Sequence, residues 1–216
     1  MLAILFFGLG LLPLGLVMTF YGFGRRRLTG RISAFLLSFL WLLVLARLVI
    51  ADTTTVHVAL ACLLSLCPTL VAVASSSFGD ACTVALSAFL ALLTPLSLTS
   101  LPIALIGGSI GGLVLGYWGR QRQSAVLIAS AFSGAYLVSI FVGLVYLVGL
   151  VTATNGERRA RTGDDEATKV LVATTVSLGL VFGCGLYVQW QGMTTGLDLA
   201  RRDASATELE TPLEIV

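Results

Sequence analysis

The sequence predicts an all-α membrane protein of seven transmembrane helices, with an internal duplication in which spans 1 and 2 resemble spans 5 and 6. Three observations support this prediction. The chain of 216 residues is 57% hydrophobic and only 11% charged, whereas a soluble domain carries about 25% charged residues. Its mean hydropathy is +0.98. Seven apolar stretches are long enough to cross a bilayer, and one pair of stretches occurs twice in the same order.

The spans follow from length. A hydrocarbon core about 30 Å thick requires about 20 apolar residues in a helix, and seven stretches meet this requirement, at 2–24, 32–51, 56–77, 81–99, 101–119, 124–152 and 168–191. Short connections predict that sequential helices pack as antiparallel neighbours, and they place Asp80 in a short turn between spans three and four. We expect kinks rather than breaks at Pro13, Pro68 and Pro95, because neighbouring helices can satisfy the carbonyls that a proline frees. The seven-helix transmembrane domain therefore covers residues 1–192, and residues 193–216 form a polar tail that we expect to be disordered.

Orientation follows from lysine and arginine, which are enriched in cytoplasmic loops. With seven spans, eight basic residues lie on one side: Arg25, Arg26, Arg27, Arg31, Arg120, Arg122, Arg201 and Arg202. Five lie on the other side, where acidic residues dilute them: Arg47, Arg158, Arg159, Arg161 and Lys169. The N-terminus is therefore predicted to lie outside and the C-terminus in the cytosol.

One hairpin of the sequence occurs twice, with 97 added to each residue number. The first copy reads Gly15-Leu16-Val17, Phe20-Tyr21-Gly22, Arg25 and Ser33-Ala34-Phe35, and the second reads Gly112-Leu113-Val114, Tyr117-Trp118-Gly119, Arg122 and Ser130-Ala131-Phe132. Spans one and five differ by four crossings, so both copies have the same orientation. Spans 1–3 and 5–7 are therefore predicted to be parallel three-helix repeats joined by span four.

Small residues at a spacing of four indicate helix-packing faces. Lipid tails give no hydrophobic drive for helix association, so close backbone approach must contribute. The predicted packing residues are Gly108, Gly112 and Gly116 in span five, Ala131, Ala135, Ser139 and Gly143 in span six, and Gly179 and Gly183 in span seven. We expect the stripes of spans five and six to pack against each other or against the opposite hairpin. A homodimer face and a sliding surface in a transporter are the alternatives.

The middles of the spans carry no ionisable residue, and such residues mark function inside a membrane. Arg47, Asp52 and His57 cluster near the outer ends of spans two and three, where an interfacial ion pair is the simplest interpretation and a ligand site is the alternative. Four cysteines form no CxxC pair and are interpreted as packing residues: Cys62, Cys67, Cys82 and Cys184. We therefore expect no catalytic residue, metal site or cofactor, and a net charge of +2 gives no support for binding nucleic acid.

The predicted inner side carries a basic face formed by Arg25, Arg26, Arg27, Arg31, Arg120 and Arg122. Each arginine near an anionic leaflet contributes about 1 kcal/mol of attraction, so anchoring that sets the topology explains these residues most simply. A phosphoinositide site or a docking patch for a cytosolic protein is the alternative. The C-terminal Glu214-Ile215-Val216 would suit a carboxylate-binding groove such as a PDZ domain.

Four short motifs follow one another in an order that can be compared with known families. They are Phe20-Tyr21-Gly22-Phe23-Gly24-Arg25 at the end of span one, Ser77-Phe78-Gly79 between spans three and four, Ile110-Gly111-Gly112-Leu113 in span five and Val188-Gln189-Trp190 at the end of span seven. Their order resembles a seven-span membrane protein family of otherwise unknown function, whose vertebrate members are linked to Wnt co-receptor phosphorylation. The resemblance implies a signalling scaffold of the plasma membrane or of intracellular vesicle membranes, without catalytic residues.

We therefore expect a non-enzymatic multi-pass membrane protein that acts as a scaffold or adaptor in membrane signalling or trafficking. Its expected partners are the lipid bilayer, a membrane or cytosolic signalling protein and a second copy of the chain. The alternative is a passive facilitator or channel for a small solute, with parallel 3+1+3 repeats as in sugar facilitators of the SWEET type. A dry, glycine-packed centre would favour the scaffold, and a wet vestibule lined by Ser, Thr and Tyr would favour transport.

Overall fold

The computed structural model describes residues 2–49, 55–97, 101–153 and 163–209, and these residues form seven α-helices and no strand. The helices are α1 (Leu2–Tyr21), α2 (Arg26–Val49), α3 (Thr55–Ala74), α4 (Ser76–Ser97), α5 (Leu101–Gly119), α6 (Gln123–Ala153) and α7 (Gly163–Leu209). Helices α1 and α3 continue through Pro13 and Pro68. Helix α7 continues to Leu209, beyond the apolar stretch and into the residues assigned to the polar tail.

Four segments of the described chain are long and apolar enough to cross a membrane: Val56–Ala74, Ser76–Leu93, Gln123–Tyr146 and Thr168–Thr195. Two shorter segments, Gly10–Tyr21 and Leu105–Gly119, are also apolar helices. Large apolar side chains such as Leu70 of α3, Leu113 of α5 and Leu180 of α7 are 65–70% exposed. Extended exposed apolar surfaces of this kind are rare on soluble monomers and are expected where a helix faces lipid. The chain therefore has the character of an all-helical membrane protein.

The connection between α3 and α4 is shorter than the sequence indicates. Helix α3 ends at Ala74 and α4 begins at Ser76, so Asp80 lies on α4 rather than in a turn. The hydroxyl of Ser75 accepts a hydrogen bond from the backbone N–H of Phe78 at 3.3 Å. This is the usual way in which a serine caps the first turn of a helix, and the cap allows one residue to separate the two helices.

The centre of the bundle is an apolar core supplied by α1, α2, α4 and α6. Met18 of α1 and Leu86 of α4 are 0% and 1% exposed, and Phe89 of α4 and Leu137 of α6 complete the buried cluster around them. Half-buried side chains of α2, among them Leu36, pack against the same cluster. Leucine, methionine and phenylalanine side chains therefore fill the space between these four helices.

Helix neighbours follow the chain order only in part. Helices α2 and α3, α4 and α5, and α6 and α7 pack as sequential neighbours, but α1 packs chiefly on α6, and α2 also packs on α4. Glycine explains the interface between α1 and α6, because a Cβ atom on Gly15 would lie 2.8 Å from the carbonyl oxygen of Gly134. Two backbones can approach this closely only where side chains are absent. The approach draws α1 onto α6 and away from α2.

Candidate functional site at the arginine end of the bundle

Polar contacts between helices concentrate at one end of the bundle, which we call the arginine end. It comprises the connections of α1 to α2, α3 to α4 and α5 to α6, together with the part of α7 around Gln189. All six arginines of the predicted basic face belong to it. Arg25, Arg27 and Arg122 are exposed, whereas Arg26, Arg31 and Arg120 are partly buried.

Gln189 of α7 is 4% exposed and joins α7 to α1 and α6. Its amide nitrogen donates hydrogen bonds to the carbonyl oxygens of Met18, at 2.9 Å, and Thr19. Its amide oxygen accepts one hydrogen bond from the backbone N–H of Phe23 at 3.1 Å and another from the hydroxyl of Ser130 at 2.9 Å. A glutamine amide has two N–H donors and one oxygen with two lone pairs, so its hydrogen-bonding capacity is used completely. We call these five residues the Gln189 network.

The Gln189 network satisfies the end of α1. The last four carbonyls of a helix have no intrahelical partner, and α1 ends at Tyr21, so the carbonyls of Met18 and Thr19 need partners from elsewhere. A buried backbone group without a partner costs about 1–3 kcal/mol. Gln189 supplies two of the missing donors and also accepts from the N–H of Phe23, just beyond the helix end. A side chain 170 residues along the chain therefore caps α1.

Glycines make room for the Gln189 network. Gly185 lies one turn before Gln189, and a Cβ atom there would collide with Thr19. A Cβ atom on Gly22 would lie 2.8 Å from Cβ of Ser130. The hydroxyl of Thr19 itself donates to the carbonyl of Gly15 at 2.7 Å, so that it does not compete for the amide of Gln189. Helices α1, α6 and α7 therefore meet with little space between their backbones.

An ion pair joins α2 to α4 at the same end. The Nη2 atom of Arg26 lies 2.7 Å from the Oδ2 atom of Asp80, and Asp80 is 8% exposed. The guanidinium of Arg26 also lies over the ring of Phe23, 5.4 Å from its centroid. Gly30 lies one turn after Arg26 and Gly79 directly precedes Asp80, and a Cβ atom on Gly30 would stand 2.8 Å from Cα of Gly79. Of the three arginines Arg25, Arg26 and Arg27, only Arg26 forms an ion pair among the described residues.

Replacing Asp80 with asparagine should lower the free energy of unfolding by about 2 kcal/mol. Removing one partner of a largely buried ion pair costs about 3–5 kcal/mol, and the partial exposure of Arg26 reduces that loss through solvent screening. The change can be measured by SDS titration of the protein purified in detergent. Arg27→Gln removes an exposed neighbouring charge and should change the same quantity by less than about 0.5 kcal/mol. Equal effects of the two substitutions would show that the contact between Arg26 and Asp80 does not contribute to the free energy of unfolding.

The glycine stripe of α5 lies against α4. Cβ atoms on Gly112 and Gly116 would stand 2.9 Å and 2.8 Å from the carbonyl oxygens of Ala85 and Ala81, and one on Gly108 would stand 3.1 Å from the ring of Phe89. The three positions on α4 are also spaced by four residues, so the two stripes run along each other. The α5 stripe therefore contacts neither the α6 stripe nor the opposite hairpin.

Two of the small residues of α6, Ser139 and Gly143, face α7. Ala131 and Ala135 are fully buried, Ser139 accepts a hydrogen bond from the hydroxyl of Ser177 at 3.3 Å, and a Cβ atom on Gly143 would lie 2.8 Å from Thr174. On α7 the structure places Gly179 and Gly183 differently. A Cβ atom on either would have no neighbouring atom within 4 Å among the described residues.

Gln189 and Gly185 are the site residues that sequence reasoning missed. Ionisable groups mark functional sites inside a membrane, and a neutral amide carries no such signal. The available signal was the spacing of four between Gly185 and Gln189, which puts an amide beside a smooth patch on one helical face. Gln191 has no such neighbour and is exposed, with a hydrogen bond to the hydroxyl of Tyr187 on its own helix.

The remaining candidate residues show no further cluster in the described part of the chain. No group of three or more His, Cys, Asp or Glu side chains there could hold a metal ion. The four cysteines are free thiols. Arg47 and Asp52 fall outside the described side chains, and His57 is half-buried near the start of α3.

Comparison with known proteins gives no relative. No protein-family model, no curated protein and no solved structure matches the chain. The resemblance to the seven-span family therefore stays a prediction from the motifs quoted above.

Proposed function

We propose that this protein is a non-enzymatic multi-pass membrane scaffold, which displays its arginine end to the cytosol and supports signalling or trafficking proteins there. The observation that carries the proposal is the packed apolar centre. Between α1, α2, α4 and α6 the space is filled by side chains such as Met18, Leu86 and Leu137. A bundle whose centre is filled by side chains leaves no path for a solute, which is consistent with a protein that acts by binding partners at its surface.

The proposal includes seven spans, an outer N-terminus and a cytosolic C-terminus. Each of the seven helices has at least 19 residues, close to the length of about 20 that a bilayer core requires. The basic face predicted to be cytosolic forms one end of the bundle, which is consistent with the positive-inside rule. The proposed location is the plasma membrane or the membrane of intracellular vesicles.

The internal duplication is also part of the proposal, and burial at equivalent positions supports it. Ser33 and Ala34 of α2 are 0% and 1% exposed, and their counterparts Ser130 and Ala131 of α6 are both 0% exposed. The contacts of α2 with α3 and of α6 with α7 correspond in the same way. The first helices of the two copies differ in their partners, since α1 packs on α6 and α5 on α4.

The alternative of a solute facilitator has less support. Three grooves with volumes of about 510, 530 and 800 Å³ lie between helices, and none of them is enclosed by the four core helices together. The hydroxyls of Thr19 and Ser130 are buried and bonded within the bundle. The centre therefore resembles the dry interior expected of the scaffold.

The surface offered to partners is the exposed part of the arginine end. Arg25, Arg27 and Arg122 are exposed and, within the described residues, form no ion pair. They are free to meet acidic side chains of a cytosolic protein or the anionic leaflet. A homo-oligomer would use the apolar outer faces of the helices instead.

Reconstitution into liposomes tests the proposal against its alternative. We expect no saturable or selective flux of sugars, amino acids or small ions, because the packed centre offers no path. Crosslinking in native membranes should in addition capture one protein at constant stoichiometry, and Arg25→Gln with Arg27→Gln should weaken that capture. Saturable flux of one solute, or a protein that crosslinks to nothing in its native membrane, would contradict the scaffold.

A further inference from the structure

A long apolar groove runs between α2, α3, α4 and α5. Its volume is about 800 Å³, which lies within the range of about 300–1,000 Å³ typical of small-molecule sites. Small residues form its floor, namely Ala34, Ala81 and Gly116, and larger apolar side chains form its walls. Leu64 and Leu113 on opposite walls are 47% and 70% exposed, so the groove opens on the side of the bundle that faces lipid.

The groove ends at a guanidinium. Arg120 lines it at the arginine end and lies over the ring of Tyr117, another lining residue, 4.6 Å from its centroid. The ring holds the cation at the mouth of the groove. Asp80 is the one carboxylate among the side chains that the structure describes, and it is paired with Arg26. Arg120 therefore has positive charge to offer to a ligand.

A second guanidinium, that of Arg31, does not line the groove itself but belongs to α2 about one turn before the lining residue Ala34. Arg31 occupies the face of α2 that carries Ser38 and Leu42, seven and eleven residues further on, and both of these line the groove. Its Nε atom is buried and has no hydrogen-bond partner among the described residues. A buried donor left unpaired is costly, so this atom is suited to an acceptor that the chain itself does not supply.

We propose that the groove holds an acyl chain of a glycerophospholipid with a negatively charged head group, whose phosphate is bound by Arg120 and Arg31. The apolar floor and walls match a hydrocarbon chain, and the two guanidinium groups match phosphate, to which arginine donates in bidentate fashion. An extended peptide fits less well, because its backbone would find few partners on apolar walls. A helix of a second copy would bring no free carboxylate to Arg120 from the described side chains. The proposal does not depend on the scaffold function.

Native mass spectrometry of the full chain tests the proposal, with dioleoyl phosphatidylserine and dioleoyl phosphatidylcholine as probes. Both have the same acyl chains and both contain a phosphate. In phosphatidylcholine the choline cation cancels the phosphate charge, whereas phosphatidylserine keeps a net negative charge, so the two lipids differ in the net charge of the head group. We expect one tightly held phosphatidylserine and at least about fivefold weaker retention of phosphatidylcholine, since each favourable contact of an arginine with an anionic lipid corresponds to about a fivefold change in affinity. Arg120→Gln should weaken phosphatidylserine binding by about fivefold, whereas Lys169→Gln, which removes an exposed cation near the start of α7, should leave it unchanged.

A second pair of variants tests the hydrocarbon part of the site. Cys67 is exposed and lines the groove, whereas the adjacent Leu66 is 48% exposed and does not. Cys67→Trp should fill the groove and abolish retention of the lipid, and Leu66→Trp should not. Equal retention of the two lipids, or equal behaviour of Arg120→Gln and Lys169→Gln, would overturn the proposal. A dimer that lipid does not displace but Cys67→Trp dissociates would also overturn it, by showing that a second copy occupies the groove.

Discussion

Replacing Gln189 with leucine should lower the free energy of unfolding by about 4 kcal/mol. The substitution removes both donors to the carbonyls of Met18 and Thr19 and the acceptor for the N–H of Phe23. Each buried backbone group left without a partner costs about 1–3 kcal/mol, and these groups lie around a Gln189 side chain that is only 4% exposed. SDS titration of the purified protein in detergent, followed by circular dichroism, measures the change. We also expect α1 to separate from α7, which a disulfide or spin-label distance between these helices would detect.

Gln191 provides the matched control. It lies on the same helix two residues later, carries the same amide and is exposed, so Gln191→Leu should change the free energy of unfolding by less than about 0.5 kcal/mol. Gln189→Glu is informative as well, because the carboxylate keeps the acceptor but loses both N–H donors. It should destabilise nearly as much as leucine. A protein in which the Gln189 and Gln191 variants behave alike would contradict the role of Gln189 as the cap of α1.

Replacing Gly134 with alanine should lower the free energy of unfolding by about 3 kcal/mol. A Cβ atom at this position would stand 2.5 Å from the carbonyl oxygen of Gly15 and from the backbone nitrogen of Thr19. These atoms belong to a helix backbone and cannot swing aside, so α1 must move away from α6. Overpacking of this kind costs about 1–3 kcal/mol and sometimes more, and here it would also pull the end of α1 away from Gln189. The same SDS titration gives the value.

Gly179 gives the control for glycine itself. It is a helical glycine with no described atom within 4 Å of its missing Cβ, so alanine would meet no clash. Because alanine is favoured over glycine in a helix by about 1 kcal/mol, Gly179→Ala should be neutral or slightly stabilising. Opposite signs for Gly134→Ala and Gly179→Ala are expected. Destabilisation by Gly179→Ala of the same size as by Gly134→Ala would instead indicate that the open face of α7 is an interface with another chain.

The number and order of the helices could be predicted because the signal is local. Each apolar stretch is about as long as a bilayer is thick, and the ends of α1 to α6 lie within six residues of the predicted ends. The prediction that Asp80 lies in a turn was wrong, because Asp80 belongs to α4. Only Ser75 separates α3 from α4, and its cap starts α4 earlier than hydropathy indicates. Helix ends depend on caps, which hydropathy does not detect.

The partners of the helices could not be predicted in the same way. A glycine stripe shows that some backbone will come close, but not which one, so the stripe at Gly112 was expected on α6 or the opposite hairpin and lies on α4. The Gln189 network escaped sequence reasoning for a related reason. Gln189 stabilises the fold through two carbonyls at the end of α1, and only folding brings these carbonyls within hydrogen-bond distance of Gln189.

The packed centre can be tested most directly by the reactivity of single cysteines. In a variant without the four native cysteines, one cysteine is introduced at Met18, Leu86 or Leu137 of the core, or at the exposed Arg25 as a positive control. The protein is then treated in sealed vesicles with a charged thiol reagent that does not cross membranes. We predict rapid labelling at position 25, from one side only, and none at the three core positions before the protein unfolds. Labelling of Met18→Cys and Leu137→Cys in the folded protein would mean that water reaches the centre of the bundle, and would contradict the scaffold in favour of a transport path.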